Sequence, residues 1–258
     1  MINYKKTLRL SNFRHDRSRG VDETVPELYE FIESFAVQDK LVGWYLWFEK
    51  EFGLPVGVVR HFFKKYLADE FDFLHGCGFK ASLSLWSIPK FIALYIGFIG
   101  YVKLRNRRKD NDPIHVELII DHIEWYSALE RFNKIIELFG KDRVLAVVPG
   151  SQLVQFPGVK IINRAKYKDY RIEWKEIITM LKGMRIHLFH SLKAKLNLFS
   201  VATKILDSYL YYRTLFEIVK GKHCIIYQHY HTDSIKNYLF KDMGGKNSAV
   251  IQKNIHQK

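Results

Sequence analysis

The polar residues best suited to chemistry in this sequence gather where short apolar runs end. Asp121, His122 and Glu124 stand at the close of run 116–123. Gly150 and Ser151 follow run 144–148, His229, His231 and Asp233 follow run 224–228, and Gln252 with Asn254 follow run 248–252. If those runs are parallel strands, all four groups fall at carboxyl ends, the edge where open α/β sheets bind ligands. The densest group is Tyr227-Gln-His-Tyr-His-Thr-Asp233. An imidazole there, beside the start of a helix, is suited to act as a general base or to contact an anion, because helix N-termini present unpaired N–H groups. Hydrogen bonding of His229 and His231 to neighbouring loops, with Asp233 as a helix N-cap, accounts for the same residues without chemistry. Asp121, His122 and Glu124 divide in the same way, between a carboxylate at the mouth of a cleft and acidic residues favoured by the dipole of the next helix.

Several chemistries lack their residues. His-x-His has no acidic or cysteine partner at metal-ligand spacing, so no metal is expected. There is no Gly-x-Gly-x-x-Gly, no Gly-Lys-Ser/Thr phosphate loop, no Gly-x-Ser-x-Gly and no zinc-protease helix motif. Lys160, Arg164, Lys166, Lys168 and Arg171, interleaved with Tyr167 and Tyr170, form a basic and aromatic stripe. Such a stripe suits either nucleic acid or a solvated loop, and with no nucleic-acid-binding module around it nucleic acid is the lesser expectation.

Positioning these groups requires alternating strands and helices, and the second half supplies them. After Pro113 come a β-branched run at 116–123 and a helix with Trp125, Leu129, Phe132, Ile136 and Phe139 on one face, stopping at Gly140. Strands follow at 144–148 and 159–162, then helices at 172–182, closed by Gly183, and at 202–220. A strand at 224–228, a helix from Asp233 to Phe240 ended by Gly244-Gly245, and a strand at 248–252 complete the series. The first half reads as helical: Thr24-Val-Pro-Glu27 caps a helix over 25–35, an aromatic helix carries Trp44, Tyr45, Trp47 and Phe48 up to Gly53-Leu-Pro55, and 56–71 turns Val59, Phe62, Phe63 and Tyr66 inward. The expected fold is therefore α/β, a helical N-terminal region followed by an open Rossmann-like parallel sheet. Its divisions are a basic arm at 1–22, a mainly helical region at 23–112 with an apolar segment at 82–102, and the sheet region at 113–258.

Composition sets the surroundings. Of 258 residues, 48% are hydrophobic, enough for a sizeable core, and 41 Lys and Arg against 27 Asp and Glu give a net charge of +14, which favours a polyanionic partner. Two distant cysteines, Cys77 and Cys224, suggest no disulfide framework and fit a reducing, cytoplasmic setting. The basic N-terminus has no apolar stretch of the kind a secretory signal needs. The apolar segment at 82–102 is divided by Pro89-Lys90, leaving only 91–102 continuous, a length better suited to a packed or interfacial helix, with a true span as the lesser expectation. Lys103, Arg105, Arg107, Arg108 and Lys109 follow at once and would face an anionic membrane surface.

The segment from Lys222 to Gln252, a strand, a polar loop, a short helix ending in glycine and a strand finishing in Gln, resembles bacterial surface-polysaccharide biosynthesis proteins of the two-domain GT-B glycosyltransferase type. The likeness covers about 30 residues as motif and the last 140 or so as architecture. In that family Gln-His-Gly often follows the last strand, whereas here Gln252 is followed by Lys253-Asn-Ile-His256. The resemblance implies half of a GT-B fold, an acceptor-side domain truncated where the donor-binding domain would begin, or a subunit that borrows such a domain. No cofactor would be bound by this chain, and a sugar nucleotide would serve the complete enzyme. It further implies a lipid-linked or phosphorylated glycan acceptor, a protein peripheral to the inner membrane, His229 and His231 as catalytic candidates, and Asp121, His122, Glu124, Ser151, Asp233 and Gln252 as substrate contacts. A non-catalytic membrane-surface protein is the rival expectation.

Overall fold

A computed structural model describes residues 32–70, 83–106, 112–121, 126–148, 158–163, 170–228 and 234–252. They fall into two compact units. One comprises the described residues up to Gly100 together with Trp174–Ile205, and the other those of Tyr101–Glu173 and from Leu206 onward.

The first unit is helical. Helix α1 (Asp39–Phe52) ends where Gly53 turns left-handed at φ 66° and returns its N–H to Glu49, as the Gly53-Leu-Pro55 stop predicts. Helix α2 (Val56–Glu70) buries Val59, Phe63, Tyr66 and Leu67, while Phe62, expected inside, is only half-buried. The capped helix expected over 25–35 lies largely outside the described residues, of which 32–36 are helical.

Helix α3 (Ile88–Leu104) is preceded by a single 3-10 turn, Leu85–Ser87. Pro89, expected to divide the apolar run, sits in the first turn, where the missing N–H has no intrahelical partner to lose, so the run continues unbroken. Leu85–Leu104 is long and apolar enough to cross a bilayer by length and composition alone. Its Tyr95, Ile99 and Val102 are nevertheless buried in the protein, at the i, i+4, i+7 spacing of one helix face.

Helix α5 (Trp174–Ala194, following α4 of the sheet unit below) departs from expectation. It runs straight through Gly183, which was expected to cap it, and ends instead at Lys195, whose φ of 57° is left-handed. Gly183 is there for space. A Cβ on it would lie 2.4 Å from Cζ2 of Trp47, so α1 and α5 approach as closely as they do only because no side chain intervenes.

Around that contact His187 is fully enclosed by aromatic rings, Trp44, Trp47, Phe48, Tyr95 and Phe199. Trp44 Nε1–H donates to its Nδ1 at 3.1 Å, which fixes the tautomer. Nε2–H then donates to the Tyr95 hydroxyl at 3.2 Å, and that hydroxyl donates to the Met180 carbonyl at 3.2 Å. Burial pushes the imidazole pKa down to about 3, with nearby His190 adding to the effect, so His187 is held neutral.

The second unit is a five-stranded, all-parallel sheet in the order β3-β2-β1-β4-β5. The strands are β1 (Ile114–Asp121), β2 (Val144–Val148), β3 (Lys160–Asn163), β4 (Val219–Gln228) and β5 (Asn247–Gln252). Between β1 and β2 runs α4 (Tyr126–Phe139), which ends at Gly140. Helix α6 (Leu198–Ile218) leads into β4, and α7 (Ser234–Asp242) joins β4 to β5. The fold class expected from the sequence is the one observed.

Every residue of β2 is buried, as a strand covered on both faces must be. On one face Leu118, Ile120, Val144, Ala146 and Val148 pack with Phe132 and Ile136 of α4. Chain order reverses between β1 and β4: the chain builds outward through β2 and β3, then returns to add β4 and β5 on the other side of β1. In open α/β sheets such a reversal is where ligands bind, beyond the carboxyl ends of the adjoining strands.

Candidate functional site

Asp121 is the last residue of β1 and stands at that reversal point. Its partner in the ladder is Ile226, so β4 continues two residues further, to Gln228, before entering the connection 229–233. Asp121 and Lys236 are each 1% exposed, and their Oδ2 and Nζ atoms are 3.7 Å apart. Tyr212 of α6, also buried, donates its hydroxyl to the same Oδ2 at 3.3 Å. The other carboxylate oxygen, Oδ1, is buried and has no hydrogen-bond partner among the described residues. An acceptor left unmet in this way is costly, of order 1–3 kcal/mol, and is the kind of atom a bound donor would satisfy.

Sequence reasoning found Asp121 but missed Lys236 and Tyr212. Their signal is weak but present. In α7 the buried positions are Ile235, Lys236, Leu239 and Phe240, so Lys236 is the one charged residue on an otherwise apolar face. Tyr212 is followed by Phe216 one turn on, and the two rings stack at 5.9 Å, with Phe216 meeting Phe240 of α7 at 5.2 Å.

Cys224, in the middle of β4, lies near this group. Burial pushes its thiol up to about 12, the Lys236 charge opposing and the Asp121 charge adding to the shift, so it remains a thiol and no nucleophile.

Of the other sequence candidates, Gln252 is the last residue of β5, in register with Gln228 of β4 at the same edge. His122, Glu124, Gly150, Ser151, His229, His231, Asp233 and Asn254 lie outside the described residues. Chain continuity still sets the connection bearing His229, His231 and Asp233 between the end of β4 and the start of α7, the helix that carries Lys236. No group of three His, Cys, Asp or Glu close enough to hold a metal occurs among the described residues.

The basic stripe is partly consumed by structure. Tyr170 is buried and bonds Asp207, Arg171 pairs with Glu217 at 3.5 Å, and Arg213 donates to the Arg171 carbonyl. Tyr170 therefore offers no face for a base to stack on. Lys160 begins β3 exposed, and 164–169 lie outside the described residues.

A concavity of about 790 Å³ opens at the amino-terminal edge, lined in part by Glu117, Arg143, Lys220 and Lys222. Glu117 there already meets Lys222 at 2.7 Å and Arg143 at 2.8 Å, and those two bonds hold its pKa at about 2. Its acid is thus spent on joining β1 to β4 and to the turn before β2. The carboxyl edge, with its reversal point and a carboxylate oxygen unmet among the described residues, is the stronger site. Compared with known proteins, the chain matches no family model, no curated protein and no solved structure.

Proposed function

We propose that the sheet unit is the acceptor-side half of a GT-B-type glycosyltransferase working in cell-surface polysaccharide assembly at the cytoplasmic face of a membrane. Asp121 carries the reading: a carboxylate at the reversal point of a parallel sheet, braced through Oδ2 by Lys236 and Tyr212, with Oδ1 unmet among the described residues. In this reading one acceptor hydroxyl donates to Oδ1, while His229 or His231, on the connection between β4 and α7, takes the proton of a second, reacting hydroxyl or contacts the acceptor phosphate. Gln252, together with Ser151, His122, Glu124 and Asp233 from outside the described residues, serves in the same reading as a substrate contact. The sugar nucleotide is held mainly by a donor-binding domain, within a longer chain or a partner. The resemblance at 222–252 supports this class over other users of the fold, since the fold alone selects no reaction.

The test is binding of a short-chain polyprenyl-phosphate-linked sugar, followed by thermal shift and by NMR. A saturable shift in the wild type is expected, weakened at least roughly tenfold, or about 1.4 kcal/mol, in Asp121→Asn and in the double variant His229→Ala/His231→Ala. Asp121→Asn removes the carboxylate charge beside the buried Lys236 and should cost about 3–5 kcal/mol of stability. Adding Lys236→Met should restore part of that stability without restoring binding. Absence of any shift, or equal affinity in all variants, overturns the reading. A non-catalytic membrane-surface protein is the second reading, favoured by the exposed apolar side of α3, and it stands if vesicles bind while the acceptor analogue does not.

A further inference from the structure

Apolar surface is exposed on two helices, α3 and α5, and only one of them carries a pointer to what would cover it. Helix α5 shows Trp174, Ile178, Leu181, Phe189 and Leu192 along one side, but Glu173 and Glu176 stand at its start and nothing there selects an occupant. Helix α3 with its preceding turn differs. Trp86 is 95% exposed, Leu85 72%, Leu94 58% and Leu104 86%, with Ile96 and Gly97 open beside them. Trp86, Lys90, Leu94, Gly97, Tyr101 and Leu104 recur every three or four residues, so they form one stripe opposite the buried Tyr95, Ile99 and Val102.

Charge selects the occupant. From Leu83 to Lys109 there is no acidic residue, and Lys90, Lys103, Arg105, Arg107, Arg108 and Lys109 are all basic. A surface with apolar side chains, an exposed tryptophan and basic residues alone matches a bilayer whose headgroups are anionic. Lys90 lies within the stripe, where its stem can follow the apolar face while its ammonium reaches the headgroups. A second copy of the chain would instead bring like charges together.

Burial decides the orientation. A spanning helix meets lipid on every side unless other spanning helices surround it, yet Tyr95 here is fully buried and its hydroxyl donates to the Met180 carbonyl of α5. We infer that α3 lies in the plane of an anionic membrane's interfacial layer, with Trp86, Leu94 and Leu104 toward the acyl chains and Lys90 and Lys103 at the headgroups, and does not cross. This inference stands independently of the carboxyl-edge site.

The experiment is co-sedimentation of the full chain with phosphatidylcholine vesicles, with and without phosphatidylglycerol. Binding is expected only with the anionic lipid, falling as salt is raised, and reduced roughly tenfold or more in Trp86→Glu/Leu94→Glu. Both positions are exposed, and circular dichroism checks that the variant is folded. Brominated acyl chains should quench the wild-type fluorescence, and the Trp86→Phe variant should lose that quenched component. Alkaline carbonate should strip the bound protein from the vesicles. Failure to bind anionic vesicles overturns the proposal, as does equal binding to both lipids, and resistance to carbonate overturns the in-plane orientation. A dimer in light scattering that Trp86→Glu dissociates, without vesicle binding, would assign the face to a second copy instead.

Discussion

His187 shows what a single buried histidine costs and how it is kept. Its two nitrogens are both engaged, one accepting from Trp44 and one donating to Tyr95, an arrangement that only the neutral ring can satisfy. Unfolded, the ring protonates near 6.5; folded, its pKa is about 3. Between those values the unfolded chain binds the extra proton, so stability is full above about pH 6.5 and falls as pH drops toward 3, by at most about 1.4 kcal/mol per unit. Urea unfolding of the wild type and His187→Phe at pH 7, 6, 5 and 4.5 checks this. The wild-type curve should steepen relative to the variant by close to one proton, and parallel curves would show that His187 is not held neutral by the fold. None of this was legible in the sequence, where His187 falls beyond the helix stop expected at Gly183 and in no expected element. Asp121 was legible because its place at the end of a β-branched run is local, whereas Lys236 and Tyr212, its partners across the fold, are 115 and 91 residues away.

At the scale of elements, all five strands were foreseen, but two helix ends were misplaced: α5 runs past Gly183, and α6 stops at Ile218, where β4 begins five residues before the strand expected at 224. Val144–Val148 is uniformly apolar because a central parallel strand is covered on both faces, and that pattern lies wholly within its own five residues. Gly183 carries the same local signature as a helix stop, a glycine after an apolar periodic run. Its meaning is set by Trp47, 136 residues earlier in the chain, so no window around it could distinguish cap from close approach. The two meanings predict opposite results. At a true helix interior with room, Gly→Ala gains up to about 1 kcal/mol. Gly97 of α3 is such a place, with nothing within 4 Å of where an alanine methyl would stand, so Gly97→Ala should raise stability. At Gly183 the methyl would lie 2.4 Å from the Trp47 ring, and Gly183→Ala should lower stability by about 1–3 kcal/mol despite the better propensity. Chemical denaturation of both variants reads the sign directly, and a stabilised Gly183→Ala would mean that α1 and α5 can part without cost.

For the whole molecule, the strand types were foreseeable but their order was not, because pairing β1 with β4 joins residues about 105 positions apart and no local pattern encodes it. The charge, by contrast, is a sum over the sequence and needs no structure. It sets two opposing effects of salt on stability. Self-repulsion among 41 basic and 27 acidic residues destabilises the compact state and is relieved by screening. Ion pairs such as Glu117 with Lys222 and Arg143 are weakened by the same screening, but exposed pairs contribute only about 0–1 kcal/mol each. An excess of +14 spread over one small protein acts between many pairs of charges, and raising ionic strength from 0.01 to 0.15 M shortens the screening length from about 30 to about 8 Å. Relief of repulsion therefore outweighs the loss of the ion pairs, and the melting temperature should rise with sodium chloride over that range, by roughly 2–4 °C for each kcal/mol gained. A scanning fluorimetry series in a chloride buffer measures it without any ligand. A falling melting temperature would mean that local ion pairs outweigh the net charge, and that the basic surface is already neutralised within the fold rather than held available for an anionic partner.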